Sequence, residues 1–87
     1  MNTLLLKIST PDGDRFCDQV EMVSLRTTEG ELAVMAGHAG FAAALVPCQC
    51  RIETPDGTRT GHLEDGLLSV DEKGARILSG SFTWDEE

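Results

Sequence analysis

Turn signals centred on glycine recur at short intervals along the chain, and they leave no room for long helices between them. The clearest are Pro11-Asp12-Gly13 and Pro55-Asp56-Gly57, each preceded by threonine, and further breaks fall at 29–30, 64–66 and 71–74. Pro presets φ and Gly tolerates positive φ, so such clusters favour tight turns. The flanks of the two Thr-Pro-Asp-Gly segments differ, and we interpret them as two uses of one turn sequence rather than an internal repeat.

The runs between these turns have the length and the alternation of β-strands. In residues 20–28, for example, Val23, Leu25 and Thr27 point one way while their neighbours point the other. Regularly spaced short strands indicate a sandwich or barrel. We therefore predict an all-β fold, a small antiparallel β-sandwich of about eight to ten short strands. The predicted strands are 3–10, 20–28, 31–35, 41–46, 48–54, 58–63, 67–70 and 75–79.

The Ala-rich segment 31–46 is the one candidate for a helix. Gly37 and Gly40 would each cost about 1 kcal/mol relative to Ala inside a helix, and Pro47 would end it. Strand–turn–strand is the better interpretation, with a single helical turn still possible. No linker divides the chain, so we predict one domain over residues 1–83, followed by an acidic tail at 84–87.

The charge balance excludes several classes of partner. Fifteen acidic residues against seven basic ones give a net charge of −8, and the basic residues form no stripe. Phosphate backbones and anionic bilayers repel such a surface, so we expect no nucleic acid partner and no direct lipid insertion. A basic protein partner would be attracted.

The sequence contains neither a membrane-spanning run of about 18 apolar residues nor the pattern of a signal peptide at its start. Its three cysteines, an odd number, indicate reduced thiols in the cytoplasm. Aromatic side chains are few, so the core must be mainly aliphatic.

No residue pattern indicates catalysis. The serines lack a G-x-S-x-G elbow, and the glycines do not form a phosphate-binding loop. Carboxylate pairs such as Glu29/Glu31 and Glu64/Asp65 are typical of solvated loops. We expect no catalytic residue and no cofactor.

The cysteines leave one alternative open. Cys48 and Cys50 are two apart on a predicted strand and so face the same side, and in this alternative they bind a metal ion together with His38 or His62. Structural zinc sites normally use a C-x2-4-C knuckle with a second ligand pair, and that pattern is absent. Buried, inert thiols are the simpler interpretation.

His38 lies in a Gly-rich bend between two predicted strands. It either packs as a turn histidine against its own sandwich or contacts another chain, because loops between rigid strands often carry binding residues.

The segment Thr27–Gly40 resembles the signature of the epsilon subunit of rotary F-type ATP synthases, approximately T-x-E-G-E-h-G-h-h-P-G-H-A-P, where h is apolar. The similarity extends to an opening strand and turn at 6–13, to a K-P-G-x-h-R-I-like run at 47–52, and to a G-G-h-h-E-V-like strand at 65–70. Residues 75–78 resemble the strand that precedes the family's helical region. The order and spacing of these segments all agree with the family pattern.

The resemblance implies an N-terminal β-sandwich of the central stalk that performs no chemistry itself. Such a rotor subunit links the gamma subunit to the c-ring and couples ion flow to ATP synthesis, peripherally, on the cytoplasmic face of the energy-transducing membrane. Glu31 matches a family position near the c-ring and His38 one near gamma. Phe41 and Ala43 continue the same contact segment.

This sequence departs from the family pattern at four positions. Ala33 replaces a glycine, Ala36 and Gly40 replace prolines, and Cys48 replaces the glycine after Pro47. Pro fixes φ and Gly frees it, so these exchanges alter local turns and imply a divergent member. The family's helical hairpin, which restrains ATP hydrolysis or binds ATP in many members, has no counterpart in these residues. We therefore expect no inhibition by hairpin extension.

Overall fold

The computed structural model describes residues 2–37 and 40–86, and within them every regular element is a β-strand. The all-β prediction is confirmed. The ten strands are β1 (Leu4–Thr10), β2 (Gly13–Val20), β3 (Met22–Thr27), β4 (Gly30–Met35), β5 (Phe41–Leu45), β6 (Cys48–Thr54), β7 (Gly57–Leu63), β8 (Gly66–Asp71), β9 (Gly74–Ser79) and β10 (Phe82–Trp84).

The strands form one sheet that nearly closes on itself. Its order is β10-β7-β6-β3-β5-β8-β9-β1-β2, with β4 paired to the remaining side of β3. The path divides into two halves of five strands, β4-β3-β6-β7-β10 and β5-β8-β9-β1-β2. Their inward side chains form one core, which gives a barrel-like sandwich.

A bent strand pair joins the two halves. β5 and β6 are separated only by Val46 and Pro47, and both run antiparallel to β3. At the bend, the Thr28 amide donates to the Ala44 carbonyl (3.0 Å) and the Val46 amide donates to the Arg26 carbonyl (3.3 Å). Beyond the bend β5 pairs with β8 and β6 pairs with β7, so the chain crosses from one half to the other here.

The core is mainly aliphatic, as the shortage of aromatic residues predicts, and it also contains Phe82 and Trp84. The alternation predicted for β3 is present, because Val23, Leu25 and Thr27 are buried while Arg26 is exposed. The largest fully buried side chains are Leu6, Ile8, Ile52, Leu63, Leu68 and Ile77.

The strands β2 and β10, and one strand pairing, were not predicted. β2 is mostly exposed and polar, so it lacks the apolar alternation that marks a strand. β1 pairs with β9 in parallel, with Leu5 opposite Gly74 and Ser9 opposite Leu78, whereas the other pairings in the described residues are antiparallel.

The third difference concerns residues 84–87, predicted as a tail. Trp84 lies in β10 and is buried, packed edge-on against Phe82 with ring centroids 4.8 Å apart. The next residues are also held in place. The Gln49 side chain donates to Asp85 (2.9 Å), and Arg59 pairs with Glu86 (2.9 Å). Hydrogen bonds from Thr60 and Gln49 lower the pKa of the Asp85 carboxyl.

The helical alternative for 31–46 is not observed in the described part of this segment, where β4 and β5 flank the bend. No described helix is long and apolar enough to cross a membrane.

Candidate partner-binding site

The turn between β3 and β4 is organised by the hydroxyl group of Thr27. It accepts a hydrogen bond from the Glu29 amide (3.1 Å) and donates one to the Gly30 carbonyl (2.9 Å). Gly30 has a φ of 123°, a conformation that side chains rarely adopt. The buried hydroxyl is therefore satisfied, and the turn projects Glu29 into solvent.

Two other hairpins use the same geometry. Thr10 bridges to Gly13, and Thr54 bridges to Gly57, with the amides of Asp12 and Asp56 donating to the threonine hydroxyls. The same Thr-x-x-Gly turn thus recurs in three hairpins of this chain. Its hydrogen bonds explain why Thr27-Thr28-Glu29-Gly30 forms a turn without proline.

Glu31 is the first predicted site residue after this turn. It lies on β4 opposite Arg26 on β3, and the guanidinium and carboxylate approach to 3.9 Å. The Glu31 side chain is 83% exposed, so this pair is weak and water-screened. The carboxylate is available to another chain.

Phe41 and Ala43, also predicted site residues, lie on β5 and are half-buried. Phe41 is opposite Val70 and Ala43 opposite Leu68 on β8. The side of β4 away from β3 has no partner strand among residues 2–37 and 40–86.

The structure brings three of the four predicted residues together. Glu31, Phe41 and Ala43 line one open groove of about 510 Å³ between the β3–β4 turn and β5. His38, the fourth, lies outside the described residues. This groove, with its lining from 27–32 and 41–44, is called the β4–β5 groove below.

A second hollow, of about 690 Å³, lies on the outer face of β3, β4 and β6. Its lining includes Arg26, Glu31 and Arg51, and Arg51 also pairs with Glu53 (2.7 Å). Hydrogen bonds from Thr58 and Arg51 lower the pKa of the Glu53 carboxyl. The sequence analysis did not identify Arg26 as a site residue. Its position opposite Glu31 depends on the register of β3 and β4, which no sequence motif predicts.

The proposed metal ligands are not all brought together. Cys50 is fully buried, and Cys48 accepts a hydrogen bond from the Arg26 amide (3.3 Å). His62 pairs with Gln49, the exposed residue between the cysteines, so it lies on the opposite face of the sheet and contacts Glu64 (3.2 Å). No cluster of three or more metal-ligating side chains occurs within the described ranges.

The burial of Cys50 also controls its chemistry. Loss of solvation, and secondarily the nearby Cys48, raises the pKa of the Cys50 thiol to about 12. A protonated thiol in the core is inert.

The described residues thus form a small β-sandwich with an open groove and an unpaired strand edge. Residues 3–85 match the family model of the ATP synthase Delta/Epsilon chain beta-sandwich domain, and the chain belongs to this family. This confirms the resemblance carried by Thr27–Gly40.

Curated relatives agree with the family assignment. The chain is 36% identical over 86 residues to an ATP synthase epsilon chain of Clostridium novyi, covering 98% of this chain and 66% of the relative. It is 33% identical to that of Alkaliphilus oremlandii, with coverage of 99% and 64%, and 39% identical over 79 residues to that of Staphylococcus aureus, with coverage of 90% and 59%. The chain thus spans at most about two thirds of these relatives.

Solved structures share the fold. A chain of the Euglena gracilis mitochondrial ATP synthase, resolved with OSCP, F1 and c-ring, matches with a TM-score of 0.91 and 24% identity over 100% of this chain and 56% of its own length. A chain of the Tetrahymena thermophila enzyme, resolved as central stalk and c-ring, matches with a TM-score of 0.81 and 13% identity over 97% of this chain and 68% of its own.

Proposed function

We propose that this chain is a non-catalytic rotor component of an F-type ATP synthase, linking the gamma subunit to the c-ring. The observation that carries the proposal is the family match over residues 3–85 together with the assembly of Glu31, Phe41 and Ala43 in one groove. Relatives named ATP synthase epsilon chain, and a structural neighbour from a central stalk and c-ring assembly, support it.

The proposed contacts divide along the β4–β5 groove. Glu31, at the exposed end of β4, faces the c-ring. His38, Phe41 and Ala43 contact gamma. A carboxylate that is 83% exposed and only weakly paired suits an ionic contact with a basic loop. Phe41 offers a half-buried ring that a partner can cover completely, which is typical of residues that dominate binding energy.

The same proposal assigns a mechanical role to the fold. A rotor element must transmit torque without deforming, and a densely packed core deforms little. The bent β5–β6 pair connects the groove to both halves of the sandwich, so a load applied at the groove reaches the whole domain. In this role the chain lies at the cytoplasmic face of the energy-transducing membrane, held there by its partners.

The test is binding to the gamma subunit encoded in the same genome. The two purified chains, mixed at micromolar concentration, are expected to co-elute from a sizing column, and the complex is expected to bind detergent-solubilised c-ring. Phe41→Ser should weaken the gamma complex, and Glu31→Gln should weaken c-ring capture.

Asp56→Asn is the matched control. Asp56 lies in the β6–β7 turn, which has the same geometry as the β3–β4 turn. The two turns are at opposite ends of β3, because β3 begins opposite Glu53, near the β6–β7 turn, and ends at Thr27. Its loss of charge should change neither interaction. Failure of the wild-type chain to bind gamma would contradict the proposed function, and equal effects of the Glu31 and Asp56 variants would contradict the assigned site.

A further inference from the structure

A cluster of positive charge lies where strand pairing gathers basic side chains that are scattered in the sequence. Lys7 on β1 lies opposite Arg76 on β9, and Lys73 comes from the turn between β8 and β9. These three residues line one shallow cavity of about 80 Å³, which we call the Arg76 cavity. Three of the seven basic residues of a chain with a net charge of −8 therefore converge on one small space.

Two of these cations have no acidic partner. Ion pairs with carboxylates are the usual state of a basic residue in this chain, as shown by Lys7 with Asp14, Arg26 with Glu31, Arg51 with Glu53 and Arg59 with Glu86. Neither Arg76 nor Lys73 forms an ion pair within residues 2–37 and 40–86. The chain has fifteen acidic residues against seven basic ones, so a cation without a carboxylate is an exception. Both exceptions line the same cavity.

The cavity is open because one of its lining residues has no side chain. Gly74 on β9 lies between Leu5 on β1 and Asp71 on β8, and the strands approach so closely that a Cβ at Gly74 would collide with the Leu5 carbonyl oxygen. Ser69 on β8, exposed and opposite Arg76, adds a hydroxyl group to the lining. The cations therefore surround a gap rather than a packed surface.

One carboxylate in the lining opposes the three cations. Asp71 accepts a hydrogen bond from the backbone amide of Lys73 (2.8 Å), which occupies one of its oxygens. Three positive groups less one negative group leave a formal charge of +2 on the lining. Asp14, 3.6 Å from Lys7, lowers this sum to +1. The cavity is thus positive on a chain that is negative as a whole.

The donors in this cavity suit a tetrahedral oxyanion. A guanidinium presents its N–H groups in a planar fork that matches two oxygens of a phosphate, and each ammonium adds a compact charge with three donors. The volume of about 80 Å³ equals the space of two or three water molecules, at roughly 30 Å³ each. A single phosphate group is of this size.

We propose that the Arg76 cavity binds a phosphate group, with the Arg76 guanidinium as the bidentate donor and the ammonium groups of Lys7 and Lys73 as additional charges. The cavity is shallow, so the group is either free inorganic phosphate or the terminal phosphate of a larger molecule. The Arg76 cavity shares no lining residue with the β4–β5 groove, and the proposal does not depend on the function assigned to that groove.

The test is a titration of the isotope-labelled chain with inorganic phosphate, followed by two-dimensional NMR. Sodium chloride is exchanged for sodium phosphate so that the ionic strength stays constant. We expect the amide signals of residues 73–76 to shift and to saturate with a dissociation constant on the order of 1 mM, since two or three charge-assisted hydrogen bonds hold the ion.

A second titration with glycerol phosphate distinguishes the two sources of the phosphate group. Tighter binding of inorganic phosphate identifies the free ion as the ligand. Equal or tighter binding of the ester identifies a phosphate at the end of a larger molecule. Saturable shifts at residues 73–76 in either titration support the site.

Variants then locate the contact. Arg76→Gln should weaken phosphate binding at least about tenfold, because it removes the bidentate donor, and Lys73→Gln should weaken it less. Asp71→Asn should tighten binding, since it removes the acidic group but keeps an oxygen that accepts the Lys73 amide. Arg51→Gln is the matched control. It removes the same charge from the other half of the sandwich, where Arg51 pairs with Glu53, and it should change binding by less than about twofold.

Three results would overturn the proposal. The first is a titration without saturable shifts at residues 73–76. The second is an equal loss with Arg51→Gln, which would show a diffuse effect of net charge. The third is acetate binding as tightly as phosphate, which would show that the cavity takes an acidic side chain of a protein partner instead. Asp71→Asn is expected to gain affinity, so it tests the site independently of any variant that disturbs the fold.

Discussion

The rings of Phe16 and Trp84 meet edge to face across the two ends of the strand order, with centroids 5.7 Å apart. Phe16 lies on β2 and Trp84 on β10, the terminal strands of the path. The guanidinium of Arg59 covers the same indole ring, 3.6 Å from its centroid. This contact closes the sheet where backbone pairing stops.

Replacing Trp84 with alanine should therefore destabilise the domain strongly. The side chain is buried, and loss of a core tryptophan typically removes about 3–5 kcal/mol from the free energy of unfolding. Thr83→Ala, on the exposed face of the same strand, should change it by less than about 0.5 kcal/mol. Urea denaturation followed by circular dichroism measures both variants. Similar values for the two would show that the closing contact contributes little.

Gly66 and Gly80 should respond very differently to alanine. A Cβ at Gly66 would collide with the carbonyl oxygen of Leu78, whereas a Cβ at Gly80 meets open space at ordinary φ. Backbone must move to admit the first, so Gly66→Ala should lower the free energy of unfolding by about 2 kcal/mol or more, with Gly80→Ala near neutral. Thermal unfolding of the pair is the measurement. A neutral Gly66→Ala would contradict the close β8–β9 approach.

The raised pKa of the Cys50 thiol predicts that the domain loses stability at alkaline pH. Its pKa is raised in the folded state to about 12, from an ordinary value of 9.0, so the folded state holds the proton longer. Its contribution to stability is complete below pH 9.0 and is lost as the pH rises toward 12, by at most about 1.4 kcal/mol per pH unit. Unfolding by urea across this range should show a steeper decline for wild type than for Cys50→Ala. Parallel declines would contradict the shift.

The same burial predicts selective thiol labelling. At mildly alkaline pH an aromatic disulfide reagent should modify the exposed Cys17 quickly, and Cys50 only after unfolding. Mass spectrometry of digested protein identifies the labelled residue, and Cys17→Ser provides the control. Rapid modification of Cys50 in the folded chain would show that the core opens readily there.

Glu31→Gln should leave stability unchanged within about 0.5 kcal/mol, because the carboxylate is exposed and 3.9 Å from Arg26. Arg26→Gln should behave the same way. Chemical denaturation checks both. If either variant loses more than about 1 kcal/mol, then a loss of c-ring capture by Glu31→Gln can no longer be assigned to a lost contact.

Much of the fold can be predicted from the sequence because local patterns of turn residues and apolar alternation determine it. The Thr-x-x-Gly turns and the alternation of β3 are visible in residue order, and eight of the strands lie where these patterns predict. β2 was not predicted, because its side chains are mostly exposed to solvent and its sequence lacks the alternation of apolar residues that indicates a strand. The burial of Trp84 was not predicted, because its neighbours in sequence are acidic. The Phe16 ring and the Arg59 guanidinium that cover it come from distant parts of the chain.

The candidate site was predictable only through the resemblance. Nothing local to Glu31, Phe41 and Ala43 predicts that they share a groove, since this depends on β5 pairing with β3 only at Leu45 and diverging from it toward Phe41. Lys7 and Arg76 likewise meet only in three dimensions, because strands from opposite parts of the chain bring them together.

The parallel pairing of β1 with β9 has a consequence for how the chain is made. Leu5–Ser9 are synthesised well before their partners at Gly74–Leu78. At ordinary translation speeds the wait lasts on the order of several seconds, during which one edge of β1 and the buried faces of Leu6 and Ile8 have no ninth strand beside them. Completion of this half must therefore await the synthesis of β9, and such long-range pairing slows folding.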